Sequence, residues 1–111
     1  MPHARRPAVV HPEVGELTIH AVLHALADPT RLAIVGSLRE NGEQACGTFP
    51  VTVAPSTLTH HFRILREAGV IRQREEGKRR WNQLRYDELD SRFPGLLDVV
   101  LRSAPPVRQT S

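Results

Sequence analysis

A mainly α-helical domain with one small β-hairpin, in the winged helix-turn-helix arrangement, is the fold class this sequence predicts. Three observations carry it. Apolar residues recur at helical spacing through most of residues 16–68. Two short arginine-rich strands then meet around a glycine, and a last amphipathic stretch closes the chain. The order helix, helix, short turn, helix, basic hairpin, helix is that of a winged helix-turn-helix domain.

With 111 residues the chain fits one domain with a modest core. Residues 1–14 hold Pro2, Pro7 and Pro12 among scattered His and Arg, and residues 103–111 read SAPPVRQTS. Both segments are expected to be flexible tails flanking a folded domain at 15–102. The first helix is expected from about Glu16 to Ala27. There Ile19, Val22, Leu23 and Leu26 form one apolar stripe, and Leu17, Ala21 and Ala25 form a second strip behind it. A helix apolar on two sides predicts a core on one and a partner on the other.

Asp28-Pro29 starts the second helix, because the Asp side chain accepts from first-turn amides while Pro at the next position loses no needed donor. Leu32, Ile34, Val35 and Leu38 are its apolar residues, and Asn41-Gly42 ends it with residues that tolerate a left-handed backbone. Residues 43–54, EQACGTFPVTVA, contain Gly47, Pro50 and β-branched residues, so only one or two helical turns are expected. The third helix runs from about Pro55 to Ala68 and stops at Gly69. Leu58, His61, Phe62 and Leu65 share its apolar face; Ser56, Thr59, His60 and Arg63 share the opposite one.

Strands are expected over about Val70–Glu75 and Lys78–Arg85, joined through Glu76-Gly77. A last helix, about Asp87 to Arg102, bends or restarts at Pro94. Its stripe of Leu89, Phe93, Leu96, Leu97 and Val100, added to Leu17 and Ala21 on the first helix, exceeds what one small core needs. Those seven residues are therefore the expected seam of a homodimer.

Charge is uneven. The formal net is +3, yet residues 63–85 carry eight basic and three acidic side chains, so the rest of the chain is net negative. One cationic face predicts a polyanionic partner, nucleic acid or an anionic membrane, although a solvated charged surface has the same composition. Cys46 is the single cysteine, which excludes an internal disulfide and suits a reducing cytoplasm. No apolar run approaches the length of a membrane span, and the opening residues lack the apolar core of a secretory signal.

On the third helix Ser56 and Thr57 sit where a helix N-terminus favours phosphate. Thr59, His60 and Arg63 are placed to reach base edges, arginine being best suited to a bidentate bond with guanine. His61, on the apolar side, is expected to be a hydrogen-bonded structural histidine. In the hairpin Arg72, Arg74, Lys78, Arg79 and Arg80 suit phosphate contacts, although charges on an edge strand also serve to block aggregation. Trp81 is expected to pack at the wing base. No catalytic residue is expected: no Gly-rich phosphate loop, carboxylate pair or nucleophile with base and orienter can be assembled.

ALADPTRLAIVGSL at 25–38, STLTHHFRILREAGVI at 56–71 and EEGKRRWNQLR at 75–85 resemble the ArsR-type transcriptional repressors. The resemblance covers most of residues 16–102. It implies a homodimer joined through first and last helices, operator binding in duplex DNA by the helix matching Ser56–Glu67, wing contacts to the backbone, and repression relieved by an inducer. Metal-sensing relatives carry a cysteine pair, in a run like ELCVCDL, or Asp and His on the last helix. Here only Cys46 falls in the first region and no histidine lies between 62 and 111, so neither a metal site nor a cofactor is expected. Two alternatives stay open. His20 and His24 share one helix face at i, i+4 and, in a dimer, bring four imidazoles together; Cys46 is a candidate thiol sensor. A winged-helix module that binds protein is the other reading of the fold, and neither an operator nor an inducer is legible.

Overall fold

The computed structural model describes residues 10–103, and the expected tails beyond those bounds lie outside the described residues. A 3₁₀ turn at Val14–Glu16 leads into α1 (Ile19–Leu26), α2 (Pro29–Asn41), β1 (Gln44–Ala45), α3 (Pro55–Glu67), β2 (Ile71–Glu76), β3 (Arg79–Leu84), α4 (Tyr86–Arg92) and α5 (Leu96–Ser103). The strands form one antiparallel sheet in the order β1-β3-β2. Helices and wing together make a winged helix-turn-helix fold.

Local chemistry explains the starts and stops. The first helix begins three residues later than its apolar spacing suggests, because the Thr18 hydroxyl accepts from the Ala21 amide and caps it there. The residues before it are ordered: the Glu13 amide donates to Glu16 Oε1, and His11 Nε2 accepts from the Gln73 amide on the outer edge of β2. The folded part thus reaches into the segment expected to be a tail. Asp28 caps α2 through the Arg31 amide at 3.0 Å, with Pro29 at the first helical position, and Gly42 ends it at φ +79°.

Residues 46–54 contain no helical turn, contrary to expectation. Phe49 anchors the stretch instead, its ring 5.3 Å from that of Phe62 in the core, while β1 pairs with β3 and adds a strand that the alternation of residues did not reveal. The hairpin turn is Gly77-Lys78, one residue later than expected, since Glu76 pairs with Arg79. Gly77 takes φ +63° and Lys78 does not go positive, the pattern of a two-residue turn with glycine first. The last helix restarts rather than bends. Phe93–Gly95 separates α4 from α5, with Gly95 at φ +79°.

The core lies between the helices and one face of the sheet, around Ile34, Val35, Leu65, Val70 and Ile71. Leu17, Leu89 and Leu97, expected at a dimer seam, are fully inside the core of the single chain. Ala21, Phe93, Leu96 and Val100 pack against it half-buried. Leu23, expected in the buried stripe, is 45% exposed and Val99 is 52% exposed; these are the large apolar side chains that α1 and α5 leave open.

A buried polar chain sets the strand register. Arg66 Nη1 donates to Gln73 Oε1, Gln73 Nε2 to Asn82 Oδ1 at 2.7 Å, and Asn82 Nδ2 to the Gln44 carbonyl and Cys46 Sγ. A slip by one residue would turn Gln73 and Asn82 to the opposite face and leave Arg66 without its acceptor.

Candidate nucleic-acid interface

The helix α3 is amphipathic in the expected sense. His61, Phe62 and Leu65 are buried and Leu58 half-buried, whereas Ser56, Thr57, Thr59, His60 and Arg63 are exposed. His61 is the structural histidine anticipated: its Nδ1 lies 3.1 Å from Arg31 Nη1 and 4.0 Å from Asp28 Oδ2. Arginine has no acceptor, so Nδ1 receives the bond and the imidazole proton sits on Nε2. Asp28 is held below the ordinary carboxyl range; burial opposes this, and the Arg31 amide and guanidinium with the Thr30 amide outweigh it.

The N-terminus of α3 is open. Its N-cap is Ala54, which has no side-chain acceptor, and Pro55 opens the helix, so the Ser56 and Thr57 amides face the end where the helix dipole favours an anion. Thr59 is more committed than its exposure suggests, since its hydroxyl donates to the Pro55 carbonyl at 3.0 Å and retains only acceptor capacity. Arg63 makes no hydrogen bond or ion pair among the described residues. Arg66, one turn on, points to the sheet instead.

The wing cations fall into two groups that sequence reasoning treated as one. Arg72 donates to Glu88, Arg80 to Glu75, and Arg74 to Glu76 and, through both Nε and Nη2, to Glu43. Hydrogen bonds from Arg74 hold the Glu43 carboxyl below its usual range, and the same contacts keep the Arg74 guanidinium more firmly charged. Lys78 and Arg79, at the turn, make no ion pair among the described residues. Trp81 is not a core residue. It is half-buried in mid-strand, opposite Arg74 and Ala45, with the Arg74 and Arg79 guanidinium carbons 5.6 and 5.9 Å from its ring centre.

Glu88 joins the wing to α4. The bidentate hydrogen bonds from Arg85 are the main cause that brings its carboxyl down to about 2, with Arg72 adding to them against the opposing effect of burial. A carboxyl lowered on folding contributes stability fully above its unfolded value near 4.5 and loses it as pH falls toward 2. Glu88 is 37% exposed, so solvent screening reduces the contribution to about 1 kcal/mol. Urea midpoints of the parent are expected to fall more steeply between pH 4.5 and 2 than those of Glu88→Gln. Parallel curves would show that this pair adds nothing.

Among the described residues no three His, Cys, Asp or Glu side chains converge as metal ligands; His20 and His24 are exposed on α1, and Cys46 is exposed after β1. No described helix is long and apolar enough to cross a membrane.

An exposed polar helix face and a cationic hairpin tip, both carried by a winged scaffold, define a helix-turn-helix DNA-binding domain. Comparisons with known proteins agree. Residues 26–74 match the family described as "Helix-turn-helix domain". The chain is 32% identical over 82 residues to the uncharacterized HTH-type transcriptional regulator YceK of Bacillus subtilis, covering 71% of this chain and 82% of that protein. It is 36% identical over 81 residues to the uncharacterized HTH-type transcriptional regulator MJ1325 of Methanocaldococcus jannaschii, covering 71% and 86%. The crystal structure of an ArsR family transcriptional regulator superposes with a TM-score of 0.62 at 25% identity, over 73% of this chain and 90% of that one. The chain belongs to the HTH-type transcriptional regulators, and its fold is ArsR-like.

Proposed function

We propose that this regulator is a cytoplasmic repressor that binds a duplex operator as a homodimer, with α3 in the major groove and the wing tip on the backbone, and that it does so without a metal ion or other cofactor and without enzymatic activity. One observation carries the DNA geometry. The face of α3 opposite the core presents Ser56, Thr57, His60 and Arg63 with an open helix N-terminus. Arg63 then reads a base edge, and the Ser56 and Thr57 amides, with Lys78 and Arg79, take phosphates. Arg72, Arg74 and Arg80 stand second, because each already holds a carboxylate. Leu23 and Val99, together with half-buried Ala21, Phe93, Leu96 and Val100, support a seam on α1 and α5.

Selection of bound sequences from a random duplex library is expected to return a palindrome, as two-fold symmetry requires. On that duplex Arg63→Ala is expected to cost about 1–3 kcal/mol and relax preference at one position per half-site. Arg79→Ala is expected to weaken all duplexes alike and to lower the salt slope by about one per protomer. The DNA face is misassigned if both variants bind as the parent does. A bound motif without two-fold symmetry would sink the homodimer.

A further inference from the structure

Arg74 lies on the solvent face of β2, since Ile71 and Gln73 face inward and Arg72 and Arg74 alternate with them. Its side chain reaches across β3, over Trp81, to the residue that precedes β1. There Glu43 takes two of its donors, at 3.0 and 2.9 Å, and Glu76 takes the third nitrogen. The guanidinium stays half-exposed and Glu43 about one-third exposed, so the pair is open to a competing anion. Carboxylate and phosphate both fit the guanidinium fork, so a phosphate meets an Arg74 whose best geometry is already filled.

We propose that Glu43 is an intramolecular competitor of DNA phosphate for Arg74, and so limits the sequence-independent hold of the wing on duplex DNA. It rests on the DNA-binding reading above and acts through Arg74, as a positioning residue. A free arginine on the wing strengthens binding to every sequence, because each phosphate neutralised releases counterions whatever the bases. Paired with Glu43, Arg74 is withheld from that sum, while Arg63, Lys78 and Arg79 remain in it. Weak background binding leaves a regulator distributed by its base contacts rather than by bulk charge.

The test is a salt titration of binding to a random-sequence duplex by the parent, Glu43→Gln and Glu40→Gln. Glu40 is exposed, three residues earlier, and makes no ion pair among the described residues, so its variant carries the same charge change without the pairing. Glu43→Gln is expected to bind several-fold tighter at low salt, with a slope steeper by about one per protomer. Glu40→Gln is expected to change the slope little. In an Arg74→Ala background the Glu43→Gln effect is expected to shrink to that of Glu40→Gln, an outcome that charge or folding alone does not produce. The proposal is overturned if the two glutamine variants behave alike, or if the effect survives without Arg74. A parent that binds no duplex at any salt overturns the DNA-binding reading itself, and this inference with it.

Discussion

Gly69→Ala is expected to remove about 2–5 kcal/mol of stability, a large share of what a domain of this size holds. Two costs combine. Gly69 ends α3 at φ +84°, where a side chain costs about 1–2 kcal/mol. A Cβ placed there would also stand 2.0 Å from Leu17 Cδ2 and 3.2 Å from its Cγ. Leu17 is 1% exposed and has little room to turn aside, so overpacking adds about 1–3 kcal/mol. Gly77→Ala separates the two terms, since Gly77 has φ +63° but open space where a methyl group would stand. Urea midpoints are expected to fall much further for Gly69→Ala than for Gly77→Ala. Equal losses would mean that the Leu17 contact relaxes and only backbone conformation matters.

Arg31→Ala is expected to cost about 2–4 kcal/mol and to weaken DNA binding as well. Arg31 is 7% exposed and ties three places together: Nε donates to the Ala25 carbonyl at 2.7 Å, Nη2 to the His24 carbonyl at 3.2 Å, and Nη1 to His61 Nδ1. The two carbonyls lie at the C-terminal end of α1, where helical acceptors lack partners and a cation is favoured. Truncation leaves the Ala25 carbonyl and His61 Nδ1 without their donor in a buried place, which is where lost hydrogen bonds cost most. His61 belongs to the same helix as Arg63, so its release is expected to loosen the placement of the proposed DNA face. Arg31→Lys is expected to recover less than half of the loss, because a point ammonium cannot serve three acceptors held by a planar fork. A lysine variant as stable as the parent would show that charge, and not the fork, does the work.

Both predictions begin as sequence signals of different strength. Gly69 is legible as a helix stop, because the residues before it keep helical spacing and those after it alternate. That Leu17, fifty-two residues earlier, fills the space a Cβ would need is not legible. Arg31 reads as an ordinary polar position in a helix. Only its place after Asp28-Pro29, one turn into a helix packed against α1 and α3, makes it a buried tie. The nearest signal in the sequence is the polar residue it leaves on an otherwise apolar segment.

Residues close together in the chain account for the helix starts at Asp28 and Pro55, the stops at Gly42 and Gly69, the break at Pro94, the two faces of α3 and the place of His61 on the buried one. Capping, φ preference and apolar spacing act within a turn or two of the chain, so the residues that carry them are near neighbours in sequence. The tertiary structure alone decided that Phe49 anchors 46–54 without a helix and that β1 joins the sheet. It also put Leu17, Leu89 and Leu97 inside the chain's own core, and it divided the wing cations into paired and free. Those outcomes turn on contacts between distant residues, as Arg74 meets Glu43 across 31 positions. Charge composition counts such residues alike; only a placed backbone brings an arginine within reach of a carboxylate and cancels it.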